Sequence, residues 1–505
     1  MCAILCSVRK RHRNRQTPLA APSLARPVQW QKTFIRVIAL AILFVILFFA
    51  FATRNHAIHR PHPFSPDEML YNYLGNQFVH EPFNYASSGF YKEFGPRLRN
   101  PHERERVRQY MDAPLFKHPP LFPYLLALAK ALFGSNVIVS NYVSLFAGLG
   151  IIAVVYLICR TLWGLGWGLL GAFFMTLEPV MWLCSQKIWI EATNALFIML
   201  AVLFLILGRK NGMWHILSSI SLGCALLCKY PSALILISIY AVLLFTNTIT
   251  DRKMLLAYIC LPFIIGAPWV AWSYAVYGSA FASEAIRLNA FTNVYKVVLL
   301  AVIPTVLIVT LFLVKVFFPI SSGRMGVLLS HAAGNGYVRN GCYVIVLVAV
   351  AAFFFRSASG IAGALGMRHI VLPIPMPNTF VGQPHYFYFY HMIELSGICL
   401  FSYLSVLFFK KWDRWVILMA LISFAVLEVL GKYVAIETRY IAIATPALVV
   451  LAVYTVKELF SYALQLRSGA KAAIIFLTSL AVVYTVIKTL YFDLTIIQLN
   501  NFFFF

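Results

Sequence analysis

Runs of about 20 apolar residues recur along this chain from residue 34 to residue 490. At 1.5 Å per residue a helical run of that length spans the roughly 30 Å hydrocarbon core of a bilayer. Inside lipid every backbone N–H and C=O needs a protein partner, which leaves only helices or closed barrels. Barrel strands show as segments of about ten residues that alternate in hydropathy, and these runs do not alternate. Only 11% of the residues are charged and 61% are hydrophobic. The chain reads as an all-α polytopic membrane protein. Spans are expected at 34–53, 138–159, 164–178, 190–208, 213–228, 231–248, 254–276, 295–319, 341–357, 391–409, 415–430, 441–458 and 472–490, roughly thirteen helices.

The formal net charge of +24 does not mark a nucleic-acid binder. The basic residues sit in short clusters between apolar runs, as membrane topology requires, and no folded basic domain accompanies them. Residues 1–33 form a basic tail in which Arg9, Lys10, Arg11, Arg13 and Arg15 face anionic lipid on the cytoplasmic side. The run at 34–53 is too long and too late for a signal peptide and reads as a retained anchor. The cysteines are dispersed: Cys224 and Cys228 suit packing, and Cys2 and Cys6 are candidates for acylation.

Alternating from a cytoplasmic N-terminus, every inner loop is basic: Arg160, Arg209-Lys210, Arg252-Lys253, Arg324 with Arg339, Lys410-Lys411 with Arg414, and Arg467 with Lys471. Only Asp251, Asp413 and Glu458 among the acids then face the cytoplasm. Chemistry that needs carboxylates belongs on the outer side of the 34–490 module, in a chain with 17 acids against 41 Lys and Arg. Two outer loops are long, 54–137 and 356–390, and residues 491–505 form a short outer tail. In the first loop, 67–80 is expected to be an amphipathic helix with Met69, Leu70, Tyr73, Leu74 and Phe78 on its apolar face, and 120–133 a second, interfacial helix. The second loop is rich in Pro and aromatics, able to grip lipid or sugar.

Several side chains stand out. Asp67, in Ser65-Pro66-Asp67-Glu68, is either a general base for an acceptor hydroxyl or the cap of the helix that begins there. Glu68 either assists it or favours the first turn electrostatically. Glu191, at the outer start of a span, is costly unless paired, though a helix N-terminus would favour it. Glu178, before Pro179, is a further acid in that region. Lys229 lies in an outer turn against the positive-inside trend, as a phosphate ligand or a snorkelling side chain. Lys117 and His118 precede Pro119-Pro120 and suit phosphate, and His118 also titration. Arg439 can hold phosphate bidentately or pair with Glu437.

In order and spacing, Pro66-Asp67-Glu68 with Tyr71, Lys117-His118-Pro119-Pro120-Leu121, Glu178-Pro179 followed by Glu191, Lys229, and Arg439-Tyr440 with Pro446 resemble the GT-C superfamily of integral-membrane glycosyltransferases. The similarity is to the protein O-mannosyltransferases and the lipid A aminoarabinose transferases, over residues 34–460. It implies a polyprenyl-phosphate sugar donor, a glycolipid, cell-envelope glycan or protein acceptor, and inversion at the anomeric carbon. It also implies Asp67 as catalytic base or orienting acid, Glu191 as a second acid, and Lys229, Arg439 and Lys117 as ligands of the donor phosphate. A divalent metal is known in some relatives, but no clear ligand set is visible in this sequence. The His before the prolines departs from the pattern. So does the lack of a soluble domain after the last span, which leaves the acceptor open. The expected setting is a bacterial cytoplasmic membrane with the site facing outward. The competing class is a transporter or flippase of a lipid-linked substrate, which would place ionisable groups at mid-bilayer and show repeated halves.

Overall fold

The computed structural model describes residues 29–60, 64–97, 119–277, 379–381, 387–430 and 435–491, less 210, 247 and 467, together with 101, 104, 105 and 108. The spans expected at 295–319 and 341–357, the basic head, Cys2, Cys6, Lys117 and His118 lie outside the described residues. The described helices are α1 (Gln29–Ile58), α2 (Pro66–His80), α3 (Ser88–Phe94), α4 (Leu121–Phe133), α5 (Val137–Trp163), α6 (Leu165–Leu177), α7 (Pro179–Cys184) and α8 (Ile190–Leu207). They continue with α9 (Met213–Cys228), α10 (Ala233–Phe245), α11 (Arg252–Tyr277), α12 (Phe387–Leu395), α13 (Gly397–Leu404), α14 (Arg414–Leu430), α15 (Thr445–Ala463) and α16 (Ser468–Tyr491). Among the described residues the only strands are an antiparallel pair, β1 (Thr379–Val381) and β2 (Ala435–Glu437).

The protein is a helical membrane protein. Helices α1, α5, α8, α11, α15 and α16 are long and apolar enough to cross a bilayer, and α4, α6, α9, α10 and α14 are apolar but shorter. Tight turns reverse the chain between them. Gly164 joins α5 to α6 at φ +102°, a conformation that side chains rarely adopt. Polar contacts fix which ends meet. At one pole Asn141 Nδ2 donates to Gln186 O at 2.8 Å, Arg54 Nε to Ser185 Oγ at 2.8 Å, and Trp269 Nε1 to Tyr230 OH at 3.1 Å. At the other, Arg414 Nη1 donates to Thr248 Oγ1 at 3.1 Å, Lys411 Nζ lies 3.0 Å from Glu458 Oε2, and Lys457 pairs with Glu458 Oε1. The second pole is the basic one. Helix α15 joins the two, its 19 residues spanning about 28 Å.

Two expected elements differ. The span at 391–409 is broken into α12, α13 and a 3-10 turn over Ser405–Lys411. Ser396 is extended (φ −140°, ψ 116°), and the break seats Gly397 against Thr485 of α16, where a Cβ would come within 3.1 Å of its hydroxyl. The helix expected from 441 starts only at Thr445, with Pro446 in its first turn, and a 3-10 turn over Thr438–Ile443 precedes it. Proline lacks the N–H that a continuous helix would need there.

The loop between α1 and α5 forms α2 and α4 packed together, with Leu70, Leu74, Phe78, Phe122 and Leu126 buried between them. Lys130 of α4 is buried, donating to Asn72 Oδ1 at 2.8 Å and Asn76 Oδ1 at 2.7 Å on α2. A second close approach sets the turn after α7. A Cβ on Gly148 of α5 would lie 2.5 Å from Ser185 Cβ. Gly148→Ala is expected to lose about 1–3 kcal/mol through overpacking, despite gaining roughly 1 kcal/mol of helix propensity. Thermal unfolding in detergent measures it, and an unchanged or raised midpoint would contradict the packing.

Candidate functional site

The polar centre gathers at the first of the two poles from four segments. The first is the start of α2. Ser65 caps it: its Oγ accepts from Glu68 N at 3.3 Å, and Glu68 Oε2 accepts from Ser65 N at 2.9 Å and Ser65 Oγ at 3.1 Å. This reciprocal capping box satisfies donors that a helix start leaves open. The capping alternative for Asp67 therefore falls to Ser65, one residue before Pro66, and Asp67 sits inside the first turn.

Asp67 points instead to a residue 372 positions away. Arg439 Nη2 lies 2.5 Å from Asp67 Oδ2, both side chains largely enclosed. The 3-10 turn that delays α15 places Arg439 there. Its guanidinium packs over the Trp189 ring at 4.8 Å and the Tyr440 ring at 5.7 Å. Beside it Lys229 Nζ pairs with Glu191 Oε1 at 2.7 Å, and the same ammonium lies 4.8 Å from the Tyr440 ring centre. Tyr440 thus lies within reach of both cations, and its π-face attracts both. Glu191, in the first turn of α8, is 2% exposed, and its Oε2 has no hydrogen-bond partner among the described residues. A buried carboxylate oxygen left unsatisfied is rare in a purely structural pair.

Tyr71 follows Asp67 by one helical turn, on the same face of α2, and stacks edge-on against Phe122 with ring centres 5.0 Å apart. Burial raises its hydroxyl well above the ordinary range; the charges of Asp67 and Glu191 add to this and Arg439 opposes it. The hydroxyl keeps its proton at neutral pH and is a donor in a site of acceptors.

The other expected residues fall around this centre. Glu178 is fully buried and caps α7, accepting from Met181 N at 2.7 Å and Val180 N at 3.2 Å. Glu437 contributes backbone to β2, opposite Thr379. Among the described residues no three His, Cys, Asp or Glu side chains converge to hold a metal ion.

Besides Lys130, two more buried cations went unread in the sequence. Arg54, at the end of α1, is fully buried and donates to Ser185 Oγ at 2.8 Å and Thr176 O at 3.0 Å, 4.7 Å from the Trp182 ring centre. Lys187 is 3% exposed and lies 3.9 Å from Glu68 Oε2. The departure from the positive-inside trend that singled out Lys229 applies equally to Lys187, in the turn between Cys184 and Ile190.

Residues 117–272 match the family model described as dolichyl-phosphate-mannose-protein mannosyltransferase, a stretch that holds Glu191 and Lys229 but neither Asp67 nor Arg439. No curated protein matches the sequence. Among solved structures, the chain is similar to the archaeal oligosaccharyltransferase AglB from Archaeoglobus fulgidus in complex with an inhibitory peptide and a dolichol-phosphate. The TM-score is 0.54 at 14% identity, over 90% of this chain and 56% of that one. The fold is that of the GT-C glycosyltransferases. The Archaeoglobus fulgidus oligosaccharyltransferase tethered to an acceptor peptide with the NVT sequon gives 0.55 at 14% identity, over 91% and 55%. ArnT from Cupriavidus metallidurans in the apo state gives 0.49 at 14%, over 92% and 72%. The chain thus spans little more than half the length of the oligosaccharyltransferases it matches.

Proposed function

We propose that the protein is an inverting glycosyltransferase that moves a sugar from a polyprenyl-phosphate donor to an acceptor at the extracytoplasmic face. The observation that carries this reading is the double ion pair, Asp67–Arg439 and Glu191–Lys229, enclosed at one pole of the bundle. The opposite pole holds Lys411, Arg414 and Lys457, and the positive-inside trend assigns that pole to the cytoplasm. The lipid phosphate in the AglB structure and the mannosyltransferase family model over 117–272 agree with a lipid-phosphate donor.

The chemistry follows from charge. The donor's phosphodiester carries one negative charge, and the departing polyprenyl phosphate carries two. Cations at the phosphate are therefore worth more in the transition state than in the bound substrate, which is the condition for catalysis. Lys229 and Arg439 supply them, both close to the Tyr440 ring and paired in the resting site with Glu191 and Asp67. As the phosphate engages Arg439, Asp67 accepts the acceptor's hydroxyl or amide proton. The acceptor atom bonds to the anomeric carbon, and the bond from that carbon to the phosphate oxygen breaks on the opposite face. Lys117 is a third phosphate ligand in this scheme. The ionisable centre lies at the ends of α2, α8 and α9 and not at their middles, which is where a substrate carrier would need it.

The test is transfer of labelled sugar from polyprenyl-phosphate donors to membrane extracts by the purified protein in liposomes. Labelled product with inverted anomeric configuration is expected. Movement of the intact lipid-linked sugar across the bilayer, with no transfer from any donor, would replace the enzyme by a flippase.

A further inference from the structure

Two contacts join the first turns of α8 to the turn between α9 and α10, and each links residues 38 positions apart. Glu191 Oε1 pairs with Lys229 Nζ at 2.7 Å, and Asn194 Oδ1 accepts from Ser232 Oγ at 2.7 Å. Glu191 and Asn194 are three residues apart on α8 and so share a face of the helix. Lys229 and Ser232 belong to one 3-10 turn, closed by Ser232 N donating to Lys229 O at 3.1 Å. The contacts are two rungs of one ladder. The first is made by the ammonium itself; the second is not. Trp269 Nε1, donating to Tyr230 OH at 3.1 Å, ties the same turn to a different helix, α11.

The second rung is not what stability alone would select. Asn194 is 0% exposed, and its Nδ2 has no hydrogen-bond partner among the described residues. A buried donor left open costs at least as much as one neutral hydrogen bond returns. An apolar pair of the same shape would serve the packing as well or better. We infer that Asn194, acting through Ser232, is a positioning residue that keeps Lys229 in place as its ammonium meets the donor phosphate, a role that rests on the glycosyltransferase reading. In that reading the phosphate competes with Glu191 for the ammonium. Once the ammonium turns to the phosphate the first rung loosens, and the second still holds the turn against α8. The backbone of Lys229 stays where it is while its side chain changes partner.

The test makes the paired variant Asn194→Leu/Ser232→Ala. Leucine repeats the branched shape of asparagine, and alanine removes the hydroxyl it would face. The thermal midpoint is expected to stay level or rise, because the open donor and both members of the bond are removed together. Sugar transfer by the same preparation is expected to fall about tenfold in kcat, with donor KM changed less, as a slightly misplaced cation in the transition state implies. The same two substitutions are then added to Lys229→Met/Glu191→Gln. There they are expected to cost no further kcat, since the side chain they position is gone. A folded paired variant with wild-type kcat overturns the inference. So does an equal loss in the background without Lys229, which would mean that the pair acts elsewhere. If the midpoint drops and kcat per folded molecule does not, the rung is structural only. Should the paired variant not fold, Ser232→Ala alone decides: it removes the same bond, and an unchanged kcat again removes the role. Wild-type protein that transfers no sugar overturns the glycosyltransferase reading instead, and the positioning role with it.

Discussion

Asp67→Asn is expected to lower sugar transfer by about 10²–10⁴-fold, the range that a positioned general base supplies. The substitution keeps size and shape and removes only the proton acceptor and its charge. The fold should tolerate it for three reasons. Ser65, with Glu68, caps α2, so the helix start does not depend on Asp67. Arg439 keeps its contacts with the rings of Trp189 and Tyr440. The lost interaction with the helix N-terminus is worth roughly 0.3–1 kcal/mol, and in place of the ion pair Arg439 Nη2 keeps the asparagine Oδ1 as a hydrogen-bond acceptor. Activity and thermal midpoint measured on the same preparation separate the effects. A large loss of transfer with a small shift in midpoint is the expected pair of results. Wild-type rates in Asp67→Asn would leave the Asp67–Arg439 pair a structural contact and move the base elsewhere.

The helical architecture was legible because the bilayer restricts it: an apolar run near 20 residues has few fates in lipid. The amphipathic helix at 67–80 was legible for the same kind of reason, its apolar residues recurring at helical spacing, and it appears as Pro66–His80. Elements failed where a local choice outweighed hydropathy. The run at 391–409 is apolar apart from His391, Glu394 and its serines, and its hydropathy does not announce that extended Ser396 breaks it so that Gly397 can meet Thr485. At the candidate site, residue types were legible and pairings were not. Arg439 was set against phosphate or its near neighbour Glu437, yet it reaches Asp67 across 372 positions. Such a pairing depends on how α2, α8 and the 3-10 turn before α15 converge, which no local pattern encodes. Glu68 shows the converse. A Ser followed three residues later by a Glu is a capping-box signature, so its engagement with Ser65 was available in the sequence beside the reading that made it an acid of the site.

The largest stability effect is expected from Lys229→Met. Methionine fills most of the lysine's length and leaves Glu191, 2% exposed, with no ammonium against Oε1 and an Oε2 that already lacks a hydrogen bond among the described residues. Breaking a buried pair from one side typically costs about 3–5 kcal/mol, because the remaining charge stays desolvated. Adding Glu191→Gln removes that charge, so the double variant should regain much of the lost stability in thermal unfolding. Transfer should not return with it. The cation that meets the growing charge on the departing phosphate is still missing, and loss of one such donor costs about 10²–10³ in rate. A double variant that is both stable and inactive, beside a Glu191→Gln single variant that keeps transfer, therefore assigns Lys229 to the leaving group. If it regains transfer along with stability, Lys229 serves only to neutralise Glu191, and Arg439 carries the phosphate without it. If Lys229→Met alone is as stable as the wild type, the pair is not what holds α8 against α9.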